Sequence, residues 1–204
     1  MHKKTLHYHQ WITVAATAIF LSPASLAAQA TGTPTFFAPV RGFGQFETGI
    51  SASGSGGGQV GLEGRYGFAL DRADISLRAG IVDPSSTADP HIVAAIEARV
   101  PVLGHSRSFP LDGALILGVG HAFQSGGGTT MVPVGLSLGR RIVLDGRAFH
   151  ITPYLQPTVV FGGASAGWGM GLGLDIYIRG LPSLRFNWGH IYVDGFAVSA
   201  FWGG

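Results

Sequence analysis

Apolar and polar side chains alternate with a period of two along most of the chain beyond residue 43, the pattern of strands whose successive side chains face opposite ways. From 60 to 70 the even positions carry Val60, Leu62, Tyr66, Phe68 and Leu70, and the odd ones Gln59, Glu63 and Arg65. From 73 to 81 Ile75, Leu77 and Ile81 oppose Asp74, Ser76 and Arg78. From 92 to 102 Ile92, Ile96, Val100 and Val102 oppose Glu97 and Arg99. From 168 to 179 Trp168, Met170, Leu172, Leu174, Ile176 and Ile178 share one face, and Gly169, Gly171, Gly173, Asp175, Tyr177 and Arg179 the other. Weaker alternation marks 44–52, 114–123, 131–139, 149–161, 184–189 and 195–202, making ten candidate strands.

Turn chemistry separates them, in Gly54 to Gly58, Asp71-Arg72, Asp83-Pro84 to Asp89-Pro90, Gly104 to Asp112, Gln124 to Gly128, Leu144-Asp145-Gly146, Gly162-Gly163, Gly180 to Pro182 and Asp194-Gly195. No segment of ten residues keeps a helical period. Pro133, Pro153 and Pro157 fall inside proposed strands, where a missing N–H breaks a ladder, so those segments are expected to bulge or be shorter.

The start of the chain is different. Lys3 and Lys4 precede an apolar run from Trp11 to Leu21, Pro23 breaks it, and Ala28-Gln29-Ala30 supplies a small-x-small cleavage site. Residues 1–30 therefore read as a cleaved export signal, 31–42 as a periplasmic lead segment and 43–204 as the folded domain. No later apolar run approaches the ~18–20 residues of a membrane helix, yet mean hydropathy is +0.32 and charged residues make up only 12% of the chain. Such a chain can still cross a bilayer as a closed barrel.

Charge decides which face meets what. Lys3 and Lys4 are the only lysines, so the segment beyond residue 30 carries 13 − 2 = 11 Arg against 11 Asp plus Glu. That balance leaves no basic face for nucleic acid. The polar faces of the strands are mostly Gly, Ala, Ser and Gln, with Glu47, Glu63, Asp74, Glu97 and Asp175 set against Arg65, Arg78, Arg99, Arg179 and Arg185. Small side chains with balanced charges suit a narrow interior in which each buried ion needs a partner. The apolar faces carry large aliphatics with aromatics near strand ends, as a lipid-facing band requires. The expectation is an all-β, closed antiparallel up-and-down transmembrane β-barrel of about ten strands, with eight as the alternative count.

With its export signal, short alternating strands, glycine-rich hairpins and a final strand bearing Phe196, Val198, Ala200 and Trp202 at every second position, the chain resembles the small outer-membrane β-barrel proteins of Gram-negative bacteria, the opacity and OmpX-like group. The resemblance spans the whole segment after residue 30 and is architectural. It implies a monomer in outer-membrane lipid, inserted by the barrel-assembly machinery, which reads the aromatic end of the last strand. In that family the aromatic itself usually ends the chain, whereas Gly203 and Gly204 follow Trp202 here.

Chemistry is sparse. There is no Cys for a zinc site, a disulfide or a thiol nucleophile. His91, His105, His121, His150 and His190 lack the i, i+2 or i, i+4 spacing of a metal pair. His121 with Ser125, and His190 with Asp194, are the only near neighbours that could begin a catalytic arrangement. No cofactor, metal or catalytic residue is expected. The function expected is that of a membrane scaffold or surface-interaction protein. A narrow pore or a barrel passing small hydrophobic ligands is the alternative, and a soluble periplasmic ligand-binding barrel the third.

Overall fold

In a computed structural model of the chain, residues 30–84, 89–145, 148–162, 165–191 and 193–204 are described. The leader proposed for residues 1–30 lies outside them except for Ala30. The strands are β1 (Phe46–Ser55), β2 (Val60–Ala69), β3 (Asp74–Asp83), β4 (His91–Leu103), β5 (Asp112–Gln124), β6 (Gly127–Gly139), β7 (Ile142–Asp145), β8 (Phe149–Gly162), β9 (Ser165–Ile178), β10 (Ser183–Ile191) and β11 (Val193–Gly203). Chain neighbours pair antiparallel except β6 and β7, which do not pair with one another; β11 returns to β1, and β6 pairs with β8. The ring is thus a closed barrel of ten strands with β7 attached to the edge of β8.

β7 is the one element without a counterpart in the alternation, and it is an extension of β6. β6 meets β8 through Leu138↔Leu155 and Gly139↔Tyr154, and β7 continues in the same register through Ile142↔Ile151. At the break, Arg140 N still donates to Pro153 O at 3.3 Å.

The prolines shorten no strand; they interrupt ladders. Pairing between β5 and β6 lapses between Leu117↔Val134 and Gly120↔Met131, around Pro133. Pairing between β6 and β8 lapses between Gly135↔Thr158 and Leu138↔Leu155, beside Pro157. β8 nevertheless stays continuous over 14 residues because its other edge is paired with β9 throughout.

The polarity is inverted relative to a protein folded in water. Ile50, Leu62, Ile81, Ile92, Ile96, Leu172 and Val198 point outward and are exposed, whereas Glu63, Arg78, Glu97, Arg99 and Arg185 are buried inside. Outward aromatics form two groups. Phe46, Tyr66, Phe68 and Trp202 are neighbours near the end where β1 begins and β11 finishes. Phe123, Phe161, Trp168, Trp188 and Phe196 lie toward the other end. An apolar wall between two aromatic belts is the surface that hydrocarbon demands. Leu172→Arg or Ile96→Arg is expected to cost about 2–4 kcal/mol, read by denaturant unfolding in lipid vesicles; a cost no larger than that of a rim substitution would contradict a lipid-facing wall.

β11 closes the barrel by pairing with β1 from Glu47↔Gly203 to Ser55↔Gly195. Phe196, Val198 and Trp202 face outward, with Ala200 half-buried among them. The two glycines after Trp202 belong to the closure. Gly203 pairs with Glu47, and Gly204 O accepts from Gln45 N and Phe46 N at 2.5 and 3.1 Å.

Candidate functional site: a threaded, charge-lined lumen

Of residues 31–42, expected to lie in the periplasm, 31–40 run inside the barrel instead, and Arg41 stands exposed at its mouth. Thr31, Thr33, Thr35, Phe36, Phe37 and Ala38 are all buried. The reason is volume. Eight strands enclose a space that side chains can just fill, and here ten strands line theirs with glycine at many inward positions. A Cβ on Gly171 or Gly189 would meet the Phe36 ring, one on Gly195 the Pro34 ring, and one on Gly120 the Ala30 backbone. Glycine on the wall makes a slot, and the lead segment occupies it.

An extended chain in a lumen must satisfy its main chain without a neighbouring strand. Amide, hydroxyl and phenol groups of β6, β8 and β10 do this. Phe36 N donates to Asn187 Oδ1 at 3.1 Å, and Phe36 O accepts from Tyr154 Oη at 3.1 Å. Asn187 Nδ2 donates to Tyr154 Oη at 2.7 Å, which locks both groups. Phe37 N donates to Gln156 Oε1 at 3.1 Å, and Phe37 O accepts from Ser137 Oγ at 2.5 Å. Further toward the chain termini, Arg99 Nη1 donates to Ala38 O at 3.0 Å and to Val40 O at 3.3 Å.

The charges named from alternation, Arg179 apart, fall into three groups on β1 to β4, β9 and β10. Near the mouth at the chain termini, Arg99 Nε donates to Asp74 Oδ2 at 2.7 Å, and Arg41 of the lead segment also pairs with Asp74. In the middle, Arg65 lies 2.8 Å from Glu47, and Arg185 holds Asp175 with two bonds of 2.7 Å. Both guanidinium groups cover rings, Arg65 4.1 Å above Phe37 and Arg185 4.5 Å above Phe201, so the middle group grips the lead segment as well as the wall. In the third group Arg78 stands between Glu63 and Glu97, pairing directly with the first and at 3.3 Å with the second. Arg78 Nη2 also donates to Thr31 Oγ1 and Thr33 Oγ1 at 2.8 and 2.7 Å.

One assignment from alternation is wrong. Arg179 was placed inside with Asp175, but β9 ends at Ile178 and Arg179 lies exposed in the following turn, where its N donates to Ala148 O. Arg41, which no strand pattern contains, is the additional cation on the acidic wall. Gln156, Asn187, Tyr154 and Ser137 were not singled out either; they read as ordinary polar-face residues until a chain is laid across them.

Among the described residues, two voids between the lead segment and the wall are small, about 20 Å³ each. One is lined by Thr35, Phe37, Glu47, Arg65, Arg185 and Phe201, room for a single water. A larger, open cleft of about 720 Å³ sits at the mouth near the termini, between Val40, Arg41, Leu103, His105 and Arg141. The histidines are peripheral. His121 Nδ1 bonds Thr130 Oγ1 at 2.9 Å rather than Ser125, and the exposed pairs His190–Asp194 and His105–Asp112 each lie at 2.9 Å.

No protein-family model matches the chain, and no curated protein matches it in sequence. Among solved structures it is similar to a de novo designed transmembrane β-barrel, with 12% identity and a TM-score of 0.41 over 79% of this chain and 97% of the other. It is also similar to the β domain of the Bordetella autotransporter Brka, with 10% identity and a TM-score of 0.37 over 76% of this chain and 96% of the other.

Proposed function

We propose that this protein is exported, inserted into the Gram-negative outer membrane by the barrel-assembly machinery, and held there as a closed, non-enzymatic monomer. Its role is that of a membrane scaffold or surface-interaction protein whose contacts are made at its ends. The observation that carries this reading is the lead segment seated in the lumen, with both main-chain groups of Phe36 and Phe37 satisfied by the wall. A path for solutes needs connected free space, and the void beside Thr35 and Phe37 of this segment is water-sized. The outward apolar wall also tells against a soluble ligand-binding barrel, which would bury such residues.

Planar-bilayer recording tests the reading. The purified, refolded protein is expected to give no conductance steps above the bare membrane. Regular steps from protein verified as folded by its heat-modifiable gel shift would replace this reading with that of a narrow pore. Proteolysis of intact cells adds the second arm, with cleavage expected in the turns opposite the chain termini.

A further inference from the structure

Around Arg78 the charges do not balance. Two carboxylates, Glu63 and Glu97, share one guanidinium, and all three side chains are at most 2% exposed. Glu63 Oε2 is saturated, since it accepts from Thr33 Oγ1 at 2.9 Å as well as from Arg78. Glu63 Oε1 is buried without any hydrogen-bond partner. A buried charged oxygen left unmatched is costly enough that a native protein supplies something for it. Among the described residues the other cations of the lumen are committed: Arg65 and Arg185 to Glu47 and Asp175, Arg99 and Arg41 to Asp74 at the far mouth.

The start of the lead segment reaches the same carboxylate, through Thr33 Oγ1 on Oε2. Gly32, at φ +84°, turns the chain so that the hydroxyls of Thr31 and Thr33 lie 3.2 Å apart and both reach Arg78. The turn requires glycine, because a side chain is strained in that backbone region. Ala30 is packed on Gly120 inside the barrel. Followed from Arg41 back toward residue 30, the chain enters at the mouth where β1 begins and β11 ends, passes Phe36 and Pro34, and turns at Gly32 while still within the lumen. Cleavage after Ala28-Gln29-Ala30 places the new terminus at Thr31.

We propose that the leader is removed at Ala30–Thr31 and that the α-ammonium so created is the missing partner of Glu63 Oε1. Glu63 is then a binding site for the protein's own N-terminus, and processing supplies the second cation of the Arg78 cluster. Peptide hydrolysis at that bond consumes one water and yields the carboxylate of Ala30 and the amine of Thr31, which is protonated at neutral pH. The inference rests on the export reading and adds to it the fate of the end produced.

Composition makes the test clean. With Lys3 and Lys4 gone, the α-amine of Thr31 is the sole primary amine of the chain. Protein exported to the outer membrane is purified, and its N-terminus sequenced; Thr31 is expected, and any other start overturns both cleavage here and capture. The folded protein is then treated with formaldehyde and cyanoborohydride, and dimethylation is followed by mass spectrometry against the urea-unfolded control. Labelling is expected to be at least tenfold slower in the folded state, and equal rates overturn the proposal. Glu63→Gln separates pairing from burial. In a variant whose heat-modifiable gel shift shows it folded, labelling is expected to quicken severalfold, and an unchanged slow rate means enclosure alone protects the amine. Should Glu63→Gln not fold, Glu63→Asp, which draws the carboxylate back by one methylene, is read in the same way. A Thr31 terminus with rapid labelling would leave export standing and remove only the capture.

Discussion

Replacing Arg78 by methionine will cost the barrel about 3–5 kcal/mol, the range for removing one partner of a buried ion pair. The loss is large because the guanidinium serves four acceptors: Glu63, Glu97, Thr31 and Thr33. Without it two carboxylates face one another in a space that holds little water, and the turn at the start of the lead segment loses its anchor. Equilibrium unfolding in detergent, scored by the heat-modifiable gel shift, measures the effect. Two companions locate the cause. Adding Glu97→Gln to Arg78→Met removes the carboxylate left without a cation, Glu63 keeping the Thr31 ammonium, and is expected to restore more than half of the loss. Arg179→Met, at an exposed turn, is expected to fall within about 0.5 kcal/mol of the parent. Should Arg78→Met and Arg179→Met behave alike, the charged lumen has no structural weight.

That contrast also marks where alternation stops being informative. Parity located all ten ring strands and turned each of them the right way, because one face must meet an apolar surround and the other must not. Such a constraint acts on every second residue and is written locally. It fails at strand ends. Parity carries Arg179 inward along with Asp175, yet Gly180 at φ +82° has already turned the chain out of the sheet. Ile142–Asp145 went unread for a related reason: four residues are too few to show a period, and their pairing with β8 is inherited from β6.

The lead segment was illegible in a deeper sense. In Thr-Gly-Thr-Pro-Thr-Phe-Phe-Ala the threonines recur at every second position, but Gly32, Pro34 and the Phe36-Phe37 pair build no strand face, so nothing local distinguishes a tail in water from a plug in a lumen. The signal lay on the wall. Gly169, Gly171 and Gly173 on one inward face suggest that space is being kept, but the sequence does not say for what. In the structure Gly171 faces Phe36 and Gly173 faces Tyr154, so one glycine admits the plug and the next admits the side chain that binds it. The acidic wall was readable as a set of charges, but its partners were not. Four of its cations, Arg65, Arg78, Arg99 and Arg185, spend donors or ring contacts on residues 31–40, and those contacts link parts of the chain 28 to 148 residues apart.

Phe36→Ala is the matching test of the slot itself. Phe36 is 1% exposed and packs with Ala38, Met131, Tyr154 and Val160. Its truncation is expected to cost about 3–5 kcal/mol, as for other buried phenylalanines, because the slot is rigid strand backbone that cannot collapse onto the gap. The consequence should be visible electrically as well as thermodynamically. With the ring gone, the lead segment keeps its polar bonds to Asn187, Tyr154, Gln156 and Ser137 but loses the wedge that seats them, so water gains a route past it. Conductance steps in planar bilayers and protease cleavage within residues 31–40 are both expected to rise from the parent's baseline. Gly171→Val attacks the same contact from the wall, where an added Cβ collides with the Phe36 ring. Gly64→Val is its control, since the nearest atom to a Cβ there is Ala79 O at 3.9 Å. If Gly171→Val and Gly64→Val are equally silent in the bilayer, the ring does not hold the plug, and the closed state must be assigned to the charged wall alone.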